Sequence, residues 1–228
     1  SYLRRGRVDW VTGTAGTGMQ LEKRAGAKPL LLTQRGGVSR YHSVFFARQD
    51  SGIGSLADLK GRSIAFQNTG STSGYIAPAA ALLDQGLKLE ILLSPKDRPT
   101  PDTVGYVFAR SELNIAAWVH KRLVDAGVFS SLDWNDSRRM PEAFRKDLKI
   151  FHETPDYPRA LEMVRGDLDP RVQARLREVL LAAADDPAAR EAMNLFFRTT
   201  RFQPVDAESR RGLERLRDDV TRVREELE

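Results

Sequence analysis

Four short apolar runs in the first third of the chain constrain the fold most: Val8 to Thr12, Leu30 to Thr33, Ser43 to Ala47 and Ser63 to Gln67. Each is about five residues long, β-branched or apolar, and bounded by Gly, Asp or Arg, which suits strands covered on both faces of a sheet. Helical stretches lie between and after them. Gln20 to Ala25 follows a Gly/Thr turn, and Ser55 with Asp58 has the spacing of a capping box, with Gly61 placed to end that short helix. Ser73 to Gln85 reads as a helix despite Pro78, closed by Gly86. Leu113, Ala116, Ala117, His120 and Leu123 share one face of a second helix, and Val172, Leu176, Val179, Leu180 and Ala183 one face of a third. Alternating strands and helices predict an α/β protein with largely parallel sheet.

Composition narrows the function classes. The 228 residues, 41% of them apolar, suffice for one compact domain or two small lobes. The densest apolar runs, Val179 to Ala184 and Lys28 to Thr33, fall far short of the roughly 20 residues that span a bilayer. With no cysteine, disulfides, thiol nucleophiles and thiolate zinc sites are excluded. The sequence lacks an initiator Met and a signal-peptide pattern, so a processed or excised product is expected. The net charge of +5 is concentrated at the front, where the first fifty residues carry nine Lys/Arg against three Asp/Glu. Arg4, Arg5 and Arg7 adjoin no aromatic stacking series and no nucleic-acid motif, so the excess fits the gathering of small anions and no nucleic-acid partner is expected.

The strongest local signal is Asn68-Thr-Gly-Ser71-Thr72-Ser73-Gly74-Tyr75, set between a strand and a helix. A helix N-terminus presents unpaired amides and partial positive charge, and small hydroxyl residues there add donors without blocking approach. An ordinary helix cap needs one hydroxyl; three in succession suit an oxyanion. A weaker turn of the same kind is Thr12-Gly13-Thr14-Ala15-Gly16-Thr17-Gly18, whose glycine spacing fits neither a dinucleotide fingerprint nor a Walker A loop. His42, His120 and His152 show no metal-ligand spacing, and no nucleophile elbow or paired acid and base occurs. The expectation is a ligand-binding protein, not an enzyme, with no cofactor and no metal.

Several segments in order resemble the phosphonate-, phosphite- and phosphate-binding proteins that serve ABC importers, the PhnD-like family. They are Tyr41-His-Ser43-Val-Phe-Phe-Ala-Arg-Gln-Asp50-Ser-Gly-Ile53, Ser55-Leu-Ala-Asp-Leu-Lys-Gly61 and Ser71-Thr-Ser-Gly-Tyr75-Ile-Ala-Pro78. Val8-Asp9, Leu123-Val-Asp125-Ala-Gly127, Thr154-Pro155-Asp-Tyr-Pro158 and Arg165-Gly-Asp-Leu168 extend the likeness over roughly residues 5–205. The resemblance implies a two-lobed type II periplasmic binding protein with mixed, mostly parallel sheets flanked by helices. Lobe one would comprise residues 1–48 and 153–205, lobe two 49–152, and 206–228 a C-terminal helix. It implies a periplasmic protein that closes about a hinge on a small phosphonate- or phosphate-type oxyanion and delivers it to an ABC permease. Ser71, Thr72 and Ser73 would hold the ligand oxygens, Tyr41 would donate from the other lobe, and Thr14 with its neighbours would close the cleft.

Three departures from the family pattern matter. The sequence begins after the family's first strand, helix and strand, so lobe one is expected to be truncated or completed differently. Where the family has a Ser-His pair at the anion, this sequence reads Arg110-Ser111-Glu112-Leu-Asn114, so Ser111, Glu112 and Asn114 join the candidate site. A carboxylate there would repel a phosphonate, so Glu112 either points away or selects a ligand with a cationic group, such as a zwitterionic aminoalkylphosphonate. Finally, Leu213, Leu216, Val220, Val223 and Leu227 form a short 3-4 seam. It belongs either to a terminal helix packed on a lobe or to the output helix of a membrane signalling receptor, a histidine kinase or cyclase, whose sensor domain would share this fold.

Overall fold

A computed structural model describes residues 2–227, which form two compact units: the residues up to Tyr41 with Asp156–Asp218, and His42–Pro155 with the residues from Asp219. The chain passes between them after Tyr41, after Pro155 and again within its last helix, Ala207–Leu227, giving three crossings where the sequence reading has two.

The first unit is built on a four-stranded sheet in the order Trp10–Thr14, Ala160–Val164, Lys28–Arg35, Thr199–Gln203. Every pairing is antiparallel, because the returning strand Ala160–Val164 runs between two strands of the opposite direction. Helix Ala15–Ala25 packs where Gly18 lets it lie against Leu161 and Met163; a Cβ on Gly18 would sit 2.8 Å from the Leu161 side chain. On helix Pro170–Ala182, Leu180 enters a cluster with Leu31, Val164 and Phe202 and Leu176 packs partly against it, whereas Val172 and Val179 are exposed. The expected apolar stripe is thus narrower than its sequence pattern. The first half of the terminal helix belongs here, with Leu213 and Leu216 buried and Arg217 paired to Glu22 at 3.0 Å.

The second unit holds a six-stranded sheet in the order Lys88–Ile91, Thr103–Phe108, Ser63–Phe66, Ala126–Ser130, Ser43–Arg48, Leu148–Glu153. Its first four strands pair parallel, and Ser43–Arg48 pairs antiparallel with both neighbours. Hydrogen bonding to Ala126–Ser130 and Leu148–Glu153 places Ser43–Arg48 in this unit, although the sequence reading assigns it to the first lobe. Helix Glu112–His120 turns Ile115, Ala116 and Val119 inward and leaves Leu113 exposed, one step around from the expected face. Between Ser55 and Asp58 the carboxylate takes the Gly54 and Ser55 amides and the Ser55 hydroxyl, so the acid closes the turn and the serine does not cap it. Val220 and Val223 are buried in this unit's part of the terminal helix, and Arg222 pairs with Asp84 and reaches the Leu83 carbonyl. Four of the five expected seam residues, Leu213, Leu216, Val220 and Val223, are thus buried against the chain's own units, and Leu227 is half-buried.

Candidate functional site

In the second unit, three parallel strands end at one edge of the sheet, and the chain leaves each through a serine that caps the helix or turn that follows. This is the edge where open α/β sheets take ligands, because helix N-termini and loop amides converge there. After Ser63–Phe66 the cap is Ser71, whose hydroxyl accepts from the Gly74 amide at 3.0 Å. After Thr103–Phe108 it is Ser111, accepting from the Asn114 amide at 3.2 Å. After Ala126–Ser130 it is Ser130, accepting from the Asp133 amide at 3.1 Å.

The Ser71 turn is wider than the helix start its sequence predicts. Thr72–Ile76 forms one π turn, with the Ile76 amide on the Ser71 carbonyl, before the α-helix Ala77–Asp84. Gly74 makes this possible: a Cβ there would lie 2.8 Å from the Gln67 Cβ and 2.9 Å from the Ser71 hydroxyl, and its carbonyl accepts from the Gln67 amide. Below the turn, Tyr75 is buried edge-on to Phe66 and Phe108, and the Ser43 hydroxyl donates to the Ser73 carbonyl at 2.9 Å. Thr72 and Ser73 are buried in the turn and Ser71 is half-buried at its mouth.

The neighbouring loop is tied to this one. The Arg110 amide donates to the Gln67 carbonyl, and Arg110 itself has a left-handed backbone, φ 68°. Gln67 also donates from its side chain to Glu112 at 2.5 Å, and Arg139 pairs with the other carboxylate oxygen at 3.1 Å. Burial pushes the Glu112 carboxyl above its ordinary range, with Asp133 adding to the push and the Glu112 backbone amide and Arg139 opposing it. Asn114 spends its side-chain amide on the Ala109 carbonyl at 2.8 Å, which makes it a brace for the loop.

Thr14 and Tyr41 lie in the first unit. Thr14 caps helix Ala15–Ala25, accepting from the Thr17 amide and sharing a hydrogen bond with the Thr17 hydroxyl at 3.0 Å. Tyr41 is buried edge-on to Tyr157 at 4.9 Å, with the Arg159 guanidinium over its ring at 4.7 Å. Behind them Glu162, fully buried, accepts from Trp10 Nε1 at 2.5 Å, Thr12 Oγ1 at 2.6 Å and Thr33 Oγ1 at 2.5 Å.

The structure thus brings six of the candidate residues to one edge of the second unit and two to the first. Sequence reasoning missed Gln67, Arg139, Ser130 and Glu162. An acid flanked by Leu161 and Met163 was the available signal for Glu162; the others gain meaning only from partners distant in sequence.

Capped turns at the end of a parallel sheet are an arrangement in which α/β proteins take small ligands. The family described as "ABC transporter, phosphonate, periplasmic substrate-binding protein" matches residues 1–209, and the chain belongs to it. The family is one of solute-binding proteins for ABC transport and not of enzymes, and its fold is the type II periplasmic binding protein. Among solved structures, XAC2383 from Xanthomonas citri bound to ATP is 51% identical with a TM-score of 0.95, covering 100% of this chain and 82% of that one. PhnD1 from Prochlorococcus marinus, in complex with methylphosphonate, is 20% identical with a TM-score of 0.66, covering 96% of this chain and 81% of that one. As a curated sequence, the probable ABC transporter phosphite binding protein PhnD1 of that organism is 20% identical over 94% of this chain and 72% of its own length. The family match does not favour the receptor-sensor alternative. Among the described residues no helix is long and apolar enough to cross a membrane.

Proposed function

We propose that the chain captures a small phosphonate- or phosphate-type oxyanion in the periplasm, closes its two units about their connecting segments, and presents the ligand to an ABC permease. The observation that carries this reading is the π turn Thr72–Ile76 behind the Ser71 cap, where a glycine-enforced backbone gathers amides and hydroxyls at one strand end. Ser71, Thr72 and Ser73 hold the oxyanion, Ser111 borders them with Asn114 bracing its loop, and Thr14 and Tyr41 contribute from the first unit. Glu112 already has Gln67 and Arg139 as partners, so its charge is offset within the protein and it does not call for a cationic group on the ligand. Simple oxyanions are therefore preferred over zwitterionic aminoalkylphosphonates. The ligands named with the two solved relatives, ATP and methylphosphonate, both carry phosphorus oxyanions, which supports the ligand class.

Isothermal titration against phosphate, phosphite, methylphosphonate and 2-aminoethylphosphonate tests the reading. Binding heat is expected with at least one of the first three, and at most weaker heat with the fourth. Silence with all four overturns the ligand class; tightest binding to 2-aminoethylphosphonate overturns the role given to Glu112.

A further inference from the structure

One corner of the first unit carries an apolar surface that oxyanion capture does not use. Leu195, Phe196 and Phe197 follow one another where helix Pro187–Leu195 gives way to strand Thr199–Gln203, and they are 84%, 45% and 60% exposed. Among the described residues no other three large apolar side chains in succession are exposed. Single exposed hydrophobic residues are ordinary on any protein, whereas a contiguous run marks an interaction surface.

The run is held out by a fixed turn. Met193 anchors the helix in the cluster that holds Leu180 and Phe202. Phe197 and Arg198 both have left-handed backbones, φ 54° and 56°, which a bulky residue adopts at a cost that glycine would avoid. The turn they make uses up the carbonyls at the helix end. The Phe196 amide donates to the Ala192 carbonyl, the Arg198 amide to the Asn194 carbonyl, and the Phe196 carbonyl accepts from both the amide and the hydroxyl of Thr199. The Arg198 carbonyl takes the Gly36 amide at 2.7 Å. Backbone groups paired within the protein can leave water; unpaired carbonyls would hold the turn in it. The two phenyl rings stand edge to face at 4.9 Å, and the Arg35 guanidinium lies over the Phe197 ring at 4.6 Å.

Charge and shape select the occupant. From Pro187 to Gln203 the chain carries Arg190, Arg198 and Arg201, all exposed, against one acid, Glu191. Leu195 stands almost wholly clear of the surface, so the tip suits a medium that yields to it better than a rigid face. Aromatic and aliphatic side chains beside arginines are the composition of a segment that lies in the interface of an anionic bilayer. The family to which the chain belongs serves membrane transporters, which puts such a surface within reach.

We propose that Leu195, Phe196 and Phe197 form a membrane-contact tip that enters the headgroup region of an anionic bilayer, with Arg198 and Arg201 meeting the lipid phosphates. The contact is reversible, since three side chains bury far less than a membrane-spanning segment. It is independent of oxyanion capture.

Flotation of the whole chain with mixed phosphatidylglycerol and phosphatidylethanolamine vesicles, beside vesicles of phosphatidylcholine alone, tests this. Binding to the anionic vesicles is expected, about tenfold or more tighter than to phosphatidylcholine and falling as salt rises. L195S/F197N is expected to lose about tenfold or more of the anionic-vesicle affinity, the asparagine being tolerant of the left-handed backbone. R198Q/R201Q keeps the apolar tip and is expected to lose the preference for anionic vesicles; it decides the question alone if the first variant fails to fold. Both variants are expected to titrate with oxyanions as the wild type does, because the tip lies outside the capped turns. No binding of the wild type to anionic vesicles, equal binding to both kinds, or an unchanged vesicle profile in either folded variant overturns the tip and leaves oxyanion capture standing.

Discussion

The double variant S71A/T72V is expected to lose oxyanion binding by a factor of about 100 or more while remaining folded. Two hydroxyls that donate to a charged ligand each contribute about 1.5–3 kcal/mol, and removing both from one site removes most of that sum. Valine keeps the shape of Thr72, which is 1% exposed, so its packing survives and only the hydroxyl is lost. Ser71 has a second role as the cap that accepts from the Gly74 amide. Its loss costs about 1 kcal/mol of local stability, so thermal unfolding of the variant is measured beside the titration. A small drop in melting temperature with a large drop in affinity is the expected pattern. Retained affinity would show that the hydroxyls do not contact the ligand and that backbone amides alone, or another surface, carry the binding.

The second large effect concerns stability. Phe46→Ala is expected to cost the second unit about 3–5 kcal/mol in chemical denaturation, because the ring is fully buried and the space cannot collapse around its absence. The ring packs 4.6 Å from Phe129 and 5.4 Å from Trp134, centroid to centroid, and lies where any Cβ on Gly127 would strike it, 2.9 Å away. Strand Ser43–Arg48, which holds Phe46, joins Ala126–Ser130 to Leu148–Glu153, so the cavity opens where the antiparallel and parallel parts of the sheet meet. The transition midpoint should fall with little change in its steepness. A loss under about 1 kcal/mol would mean that Trp134 or Phe129 refills the site, and would contradict the tight packing described here.

How much of this was readable in the sequence differs between the scaffold and the site. Ser43–Ala47 and Ser63–Gln67 mark strands to within a residue at each end, because short apolar runs closed by polar or turn residues suit strands buried on both faces. The first run is displaced, since Val8-Asp9 precedes a strand that starts at Trp10 and continues through Gly13 to Thr14. The inward face of Glu112–His120 is not unique in the sequence, because apolar residues occur all around that helix; packing against Ala126–Ser130 chooses Ile115, Ala116 and Val119. The hydroxyl-rich turn was visible as a local motif. Its π geometry was not, because it depends on Gly74 meeting Gln67 across the loop. The charge balance of the site was least visible: Glu112 is offset by Arg139, 27 positions away, and Glu162 is held by donors 129 to 152 positions away, which no local spacing announces.

Following the backbone amides of the isotopically labelled chain while methylphosphonate is added tests the central claim most directly. The largest shifts are predicted at Thr72, Ser73 and Gly74, saturating together with a single affinity and failing to appear in S71A/T72V. Saturating shifts that leave residues 68–75 unmoved and gather elsewhere would contradict the site.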